Sequence, residues 1–270
     1  MDNDKPKVSQ EDLERIHRLR LIDDEFMSIC FDNYKEGAAL LLRIILERDD
    51  LTVTEVKTQK ELKNLQGHDI RLDIYATDRS GIKYDIEVQR VNKGAHRKRA
   101  RYHSSMVDSN MLKSGEDFTE LKESYVIFIT ENDVLGLNQP IYHIDRTIRE
   151  GNVQFNDGGH IIYVNASMRT KETALGKLMS DFYCTESSDM CYKELADRVR
   201  QYKEVKEGVE TMSEIWEEVR NEGIIKGRNE AGIEHAQRMI IDGTLPLEKI
   251  AEYSGLSIEK VRELADKKSA

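Results

Sequence analysis

The stretch RLDIYATDRSGIKYDIEVQR, residues 71–90, places two carboxylates where they can meet. Side chains alternate between the two faces of a strand, so Asp73 and Glu87 lie on the polar faces of two amphipathic strands. The apolar faces can share one core only if the connecting loop has an odd length, and residues 79–81 supply three, ending in glycine. That register pairs Asp73 with Glu87, with Cβ atoms roughly 5 Å apart.

This carboxylate pair has two interpretations. Opposed carboxylates repel each other, so the pair costs stability on an ordinary surface and gains a purpose if a cation binds between them. All-oxygen ligands favour the hard ions Mg²⁺ and Mn²⁺ over zinc. The alternative is that the polar row is the solvated face of an ordinary hairpin, since charged residues normally occupy such faces.

A mixed sheet with flanking helices is expected to position this hairpin. FDNYKEGAALLLRIILER predicts a core-packed helix, LTVTEVKTQ a strand, residues 96–113 a helix, and SYVIFITE a strand covered on both faces. The sheet is expected to continue with IYHIDRTI and with a hairpin, VQFNDGGHIIYVN, turned at Asp157-Gly158-Gly159. This order predicts an α/β layer architecture rather than a barrel or a bundle.

After Asn165 the pattern predicts only helices, and these are strongly charged. In the tail LPLEKIAEYSGLSIEKVRELADKK, Pro246 stands near a helix start and Ser254-Gly255 forms a break. Ser257 is placed to cap the next helix. Two short helices across a tight turn have a helix-turn-helix outline.

Composition limits the class of protein. Hydrophobic residues make up 39% of the chain and charged residues 34%, which is polar but sufficient to bury a core. No apolar run approaches the roughly 20 residues that cross a bilayer, and no secretory signal is present, so we expect a cytoplasmic protein with no membrane partner. The three cysteines are odd in number and lack CxxC spacing, which argues against a disulfide framework and a thiolate zinc site: Cys30, Cys184 and Cys191.

Charge is unevenly distributed. A net charge of −10 disfavours nucleic-acid binding if it is spread evenly. The segment HRKRARYHSSMVDSNML instead concentrates four cations: Arg97, Lys98, Arg99 and Arg101. Such a cluster after the carboxylates is a candidate surface for DNA phosphates, although charge runs are also common on solvated helix faces. Tyr102 and His103 are at least as well suited to packing and stay outside the predicted catalytic set.

These features resemble the PD-(D/E)xK nuclease superfamily, particularly its bacterial recombination-promoting nuclease and transposase family. Asp73, thirteen residues and then Glu87-Val88-Gln89 lie on a hairpin between two helices, followed by the basic helix and SYVIFITEND. The resemblance covers roughly residues 22–165 and, more loosely, the tail SIEKVREL. It implies a restriction-endonuclease-like core in which Asp73 and Glu87 bind Mg²⁺ or Mn²⁺, with the Val88 carbonyl as a third ligand.

The resemblance also makes Glu36, on the first core helix, a candidate outer metal ligand. The competing interpretation is that Glu36 is simply a solvent-exposed helix residue. Two positions depart from the superfamily pattern. Gln89 stands where lysine is usual, and glutamine can orient water but carries no charge; it is a known variant in this family. Leu72 replaces the proline, a change that concerns backbone shape more than metal binding.

Together these observations predict a Mg²⁺-dependent DNA endonuclease in recombination or mobile-element transposition, with Asp73, Glu87 and Gln89 as catalytic residues. The alternative is a catalytically degenerate DNA-binding or protein-interaction module that retains the fold. RNA or single-stranded DNA is also an open substrate, because no residue pattern indicates recognition of a 2′-hydroxyl. The sequence does not determine the oligomeric state, so a homo-oligomer also stays open. The predicted domains are a lead-in helix (1–21), a nuclease-like domain (22–185), a charged helical region (186–238) and a helix-turn-helix-like unit (239–270).

Overall fold

A computed structural model describes residues 8–64, 67–90 and 92–269, so residues 1–7 of the predicted lead-in segment lie outside the described part. The chain divides into two compact units, residues 1–209 and 210–270. The helices are α1 (Gln10–Arg18), α2 (Asp24–Phe31), α3 (Lys35–Leu46), α4 (Arg97–Ser109), α5 (Ala174–Tyr183), α6 (Lys193–Lys203), α7 (Lys206–Asp242), α8 (Leu247–Ser254) and α9 (Ile258–Ser269). The strands are β1 (Val53–Leu62), β2 (Ile70–Asp78), β3 (Lys83–Gln89), β4 (Ser124–Thr130), β5 (Ile141–Ile144), β6 (Thr147–Ile148), β7 (Val153–Gln154) and β8 (Gly159–Asn165).

In the described part of the chain, six strands form one mixed sheet in the order β1-β2-β3-β4-β8-β5. The first three strands form an antiparallel meander, β4 and β8 run parallel to β3, and β5 returns antiparallel to β8. Helices α2 and α3 contact the meander, whereas α4 contacts β3, β4 and β8. The predicted mixed sheet flanked by helices is therefore confirmed.

The hairpin of β2 and β3 has the register that its loop length predicts. Tyr75 pairs with Asp85, and Asp78 N–H donates to Ile82 C=O at 3.2 Å. Gly81 has a φ of +83°, a backbone conformation that glycine adopts without the penalty other residues incur. Continued along the ladder, this register places residue 73 opposite residue 87.

The polar row of the hairpin is not solvated, so that alternative interpretation is wrong. Asp73 is 7% exposed, and Asp85 and Glu87 are 0% exposed. Helix α4 covers this face, because its Ala100 shares a buried cluster with Phe128 of β4, and Phe128 lies beside Glu87 in the parallel register. Both faces of the hairpin are buried, and its acidic side chains lie inside the protein.

The hairpin predicted around Asp157-Gly158-Gly159 is also wrong. Strand β8 pairs with β4 on one side and with β5 on the other, so neither of its edges is free for β7. Strand β7 pairs instead with β6 in a separate two-stranded ribbon. The turn at Gly158, with a φ of +77°, is present, but it leads into a central parallel strand.

Helices α8 and α9 adopt the predicted two-helix outline. Gly255 ends α8 with a φ of +70°, and Ser257 Oγ accepts a hydrogen bond from Lys260 N–H at 3.2 Å at the start of α9. These helices share a buried apolar cluster with α7: Ala236, Ile250 and Val261. No helix in the described residues combines the length and apolar character that crossing a membrane requires.

Candidate metal centre and cleft

Two hydrogen bonds join the predicted carboxylates across the hairpin. Asp73 N–H donates to Glu87 Oε1 at 3.0 Å, and Val88 N–H donates to Asp73 Oδ2 at 2.9 Å. Each carboxylate is thus held by the backbone of the opposite strand. These bonds bring Asp73 and Glu87 together at the end of the hairpin farthest from its loop.

A third buried carboxylate, Asp85, lies on the same face of β3 as Glu87. Asp85 Oδ2 is 2.9 Å from Nδ1 of His103 on α4, and that nitrogen is 3.8 Å from Glu87 Oε1. Arg99, one helical turn before His103, donates from Nη2 to Glu87 Oε2 at 3.0 Å. Among the described residues, no hydrogen-bond donor reaches the buried Asp85 Oδ1. With Asp73, the centre has three carboxylates beside a single guanidinium.

Burial and mutual repulsion raise the pKa of every carboxyl group in the centre. Burial, and then the neighbouring Glu87 charge, raise the pKa of Asp73 to about 7. Burial, and then Asp85, raise the pKa of Glu87 to about 8. Burial and the Asp73 charge raise the pKa of Asp85 well above its ordinary value, while burial lowers the pKa of His103. A cation would replace protons that the metal-free centre holds near neutral pH.

The donor set fits a hard divalent cation. Ligand atoms of Asp85, Glu87 and His103 lie within 4.8 Å of one another. Carboxylate oxygens are the ligands that Mg²⁺ and Mn²⁺ prefer, and a cation would satisfy the orphaned Asp85 Oδ1. Asp85 and Glu87 supply the carboxylates of this cluster, and the hairpin hydrogen bonds place a third carboxylate that could hold the ion, Asp73, beside Glu87.

The other predicted site residues have different surroundings. Gln89 is half-buried and lines the same cleft as Asp73. Gly94 leaves room for Gln89, because a Cβ at position 94 would lie 2.0 Å from Gln89 Oε1. Glu36 is exposed on α3 and does not line the cleft, whereas Asp24 of α2 does.

The cleft beside the carboxylates has a volume of about 690 Å³ and extends along the first turns of α4. Three cations of α4 are exposed and form no ion pair within the described part of the chain: Arg97, Lys98 and Arg101. Arg99 instead binds the buried Glu87. The structure thus separates the four cations predicted to bind DNA into three free ones and one that belongs to the carboxylate centre.

Comparison with known proteins identifies the family of the chain. A family model described as PD-(D/E)XK nuclease family transposase matches residues 38–184, more than half of the chain. The chain belongs to this family. Membership supports a nuclease or transposase type of function and a restriction-endonuclease-like α/β fold. No curated protein and no solved structure matches the chain.

In this PD-(D/E)XK family member, Asp85 and His103 of the centre had no role in the sequence-based prediction, and neither had Asp24 on the wall of the cleft. Asp85 had a signal, since it precedes Glu87 by two residues and shares its strand face. His103 follows Arg99 by four residues, so the two share a helix face. The four-residue spacing of Arg99 and His103 does not reveal that this face of α4 covers the hairpin, because that depends on tertiary packing.

Replacing Asp85 with asparagine is expected to stabilise the metal-free protein. In Asp85→Asn, the amide oxygen can accept a hydrogen bond from His103. The amide N–H₂ takes the place of Asp85 Oδ1, which has no donor, and can itself donate beside Glu87. The free energy of unfolding in EDTA should rise by about 1–3 kcal/mol, whereas excess Mg²⁺ should raise Tm less than it does in wild type. Thermal denaturation measures both effects, with the exposed Asp49→Asn as control. A lower Tm than wild type in EDTA would contradict this prediction.

Proposed function

We propose that the chain is a Mg²⁺-dependent DNA endonuclease that hydrolyses phosphodiester bonds in recombination or mobile-element transposition. One observation carries the proposal: Asp73, held beside the buried Glu87, lines a cleft along α4, the helix whose three exposed cations form no ion pair with any described residue. Such a site matches a phosphodiester, whose charge must be neutralised on the reacting phosphate and along the flanking backbone. Family membership gives independent support.

Each group has a distinct part in the proposed hydrolysis. Bound Mg²⁺ supplies activation of water and neutralisation of charge on the phosphate. Asp73, Glu87 and Asp85 would hold the ion, with the Val88 carbonyl as a further ligand. Gln89, on the wall of the cleft, orients the attacking water through its amide, and Lys98 in the same cleft binds phosphate oxygens.

Nicking of supercoiled plasmid tests this function. The wild-type protein should convert supercoiled DNA to the open-circular form with Mg²⁺ or Mn²⁺ and leave it intact in EDTA. Parallel reactions on single-stranded DNA and on RNA determine which nucleic acid it prefers. No nicking of any substrate with either metal would overturn the nuclease assignment, and nicking in EDTA would overturn the metal requirement.

Gln89 favours a second candidate function. The usual lysine of the superfamily puts a positive charge near the attacking water, and glutamine puts none there. A catalytically degenerate DNA-binding or protein-interaction module that retains the fold would bind duplex DNA in EDTA, lose affinity with salt and never nick. Binding and nicking measured on one preparation separate the two functions.

Removal of the three unpaired cations should weaken DNA binding without changing the fold. In the triple variant Arg97→Gln, Lys98→Gln and Arg101→Gln, each lost phosphate contact should lower the slope of log K against log salt by about 0.9. Fluorescence anisotropy of a labelled duplex in EDTA, over a series of salt concentrations, measures this slope. The control triple replaces other exposed lysines: Lys122, Lys171 and Lys177. An equal loss in the control would show general charge attraction rather than binding by α4.

A further inference from the structure

Two side chains of α4 form a continuous hydrogen-bonded chain with the carboxylates of β3. Arg99 donates from Nη2 to Glu87 Oε2 at 3.0 Å and from Nε to His103 Nε2 at 3.3 Å. His103 Nδ1 lies 2.9 Å from Asp85 Oδ2. The chain therefore begins at Glu87 and ends at Asp85, two residues apart on one strand face.

The direction of each bond follows from the chemistry of arginine. A guanidinium keeps its protons in proteins, so Arg99 Nε can only donate, and His103 Nε2 must accept. The ring proton of the neutral imidazole is then on Nδ1, from which it donates to Asp85 Oδ2. His103 is 2% exposed and uses both ring nitrogens in these bonds. It therefore acts as a donor that orients a carboxylate and has no lone pair free for a metal.

We propose that Arg99 and His103 are positioning residues for the metal centre: Arg99 fixes Glu87, and His103 fixes both Arg99 and Asp85. The inference rests on the proposed metal-dependent function. It assigns Arg99 to the carboxylate centre, because its guanidinium binds a carboxylate that is 0% exposed, although the Arg99 side chain is itself 40% exposed and lines the cleft. A carboxylate held in this way needs no reorientation when a cation arrives, which is how partners of metal ligands raise metal affinity.

Metal binding in the absence of DNA tests this proposal independently of catalysis. Mn²⁺ binding to the full chain can be measured from the electron paramagnetic resonance signal of free Mn²⁺. His103→Phe, which changes no charge, should weaken Mn²⁺ affinity by about 10–100-fold. His103→Asn retains a donor near the Nδ1 position and should recover part of that affinity. Thermal denaturation of each variant distinguishes lost folding from lost metal binding.

Arg99→Lys is a second test, which keeps the charge and leaves the buried ring in place. An ammonium lacks the planar fork that binds Glu87 and His103 together, so Mn²⁺ affinity should fall by about 10-fold. Arg149→Lys is the matched control at an exposed arginine outside the cleft and should bind Mn²⁺ as wild type does.

The outcomes separate this proposal from the nuclease assignment. Folded Arg99→Lys or His103→Phe protein with wild-type Mn²⁺ affinity would overturn the positioning role, as would a wild-type protein that binds no Mn²⁺. Weaker Mn²⁺ binding in both variants supports the positioning role even if the wild type never nicks plasmid, a result that would overturn only the endonuclease function.

Discussion

Asp73→Ala and Glu87→Ala should each slow plasmid nicking by at least about 1000-fold, which corresponds to about 4 kcal/mol of activation free energy. Each substitution removes one of the two carboxylates that the hairpin bonds hold together. Affinity for duplex DNA in EDTA should stay close to that of the wild type, because the exposed cations of α4 are retained. Initial nicking rates with excess Mg²⁺, together with anisotropy in EDTA, measure the two effects.

Glu36→Ala is the matched control for these variants. Glu36 is also a glutamate, but it is exposed on α3 and does not line the cleft, so nicking should proceed at the wild-type rate. A large loss of nicking in Glu36→Ala would support the prediction from the sequence that Glu36 is an outer metal ligand. Nicking at the wild-type rate by both Asp73→Ala and Glu87→Ala would refute the site assignment.

Lys203→Met should lower the free energy of unfolding by about 3–5 kcal/mol. Lys203, the last residue of α6, is 4% exposed, and its Nζ lies 2.5–3.0 Å from the carbonyl oxygens of His17, Leu19 and Thr185. Burial lowers the pKa of Lys203 to about 8, so holding the charged form inside the protein already costs free energy. The three carbonyls depend on this ammonium, and methionine would leave them without its N–H donors.

Chemical denaturation at neutral pH measures this loss, and Lys177→Met provides the control. Lys177 is exposed on α5, so its replacement should change the free energy of unfolding by less than about 0.5 kcal/mol. Equal stabilities of Lys203→Met and Lys177→Met would show that the cost of burying the ammonium cancels the gain from its three hydrogen bonds.

The position of the carboxylate pair could be predicted from the sequence because it depends on local rules. Alternation identifies the polar face, and the odd loop ending in Gly81 sets the register, which the observed pairing of Tyr75 with Asp85 confirms. The placement of Asp73 opposite Glu87 follows from these two rules alone. Neither rule requires knowledge of any other element.

The cover over this face could not be predicted in the same way. A strand pattern shows that Asp85 and Glu87 point in one direction but not what lies there, and charged residues usually indicate solvent. The basic run of α4 likewise suggests only an exposed surface, although Arg99 binds a fully buried carboxylate. The burial of these carboxylates and the ion pair of Arg99 both depend on how α4 packs on the sheet. That packing joins segments distant in the sequence and cannot be read from either segment alone.

The topology around β8 shows a second limit. Gly158 marks a turn correctly, but a turn signal does not specify which strand the following segment joins. Strand β8 joins β4 in parallel, a pairing between segments separated by about 30 residues. Local turn chemistry favours the nearest partner, so the predicted hairpin was wrong.

Helix α4 carries both the guanidinium that binds Glu87 and the unpaired cations on its exposed side. If a ligand bound on one side of α4 shifts this helix, it therefore changes the free energy of ligand binding on the other side. Thermodynamic reciprocity would then apply to the proposed sites: any factor by which Mg²⁺ tightens DNA binding would equal the factor by which DNA tightens Mg²⁺ binding. Such a helix would let the protein load its metal where nucleic acid is already bound, and DNA affinities measured with and without Ca²⁺ or Mg²⁺ give the size of that coupling.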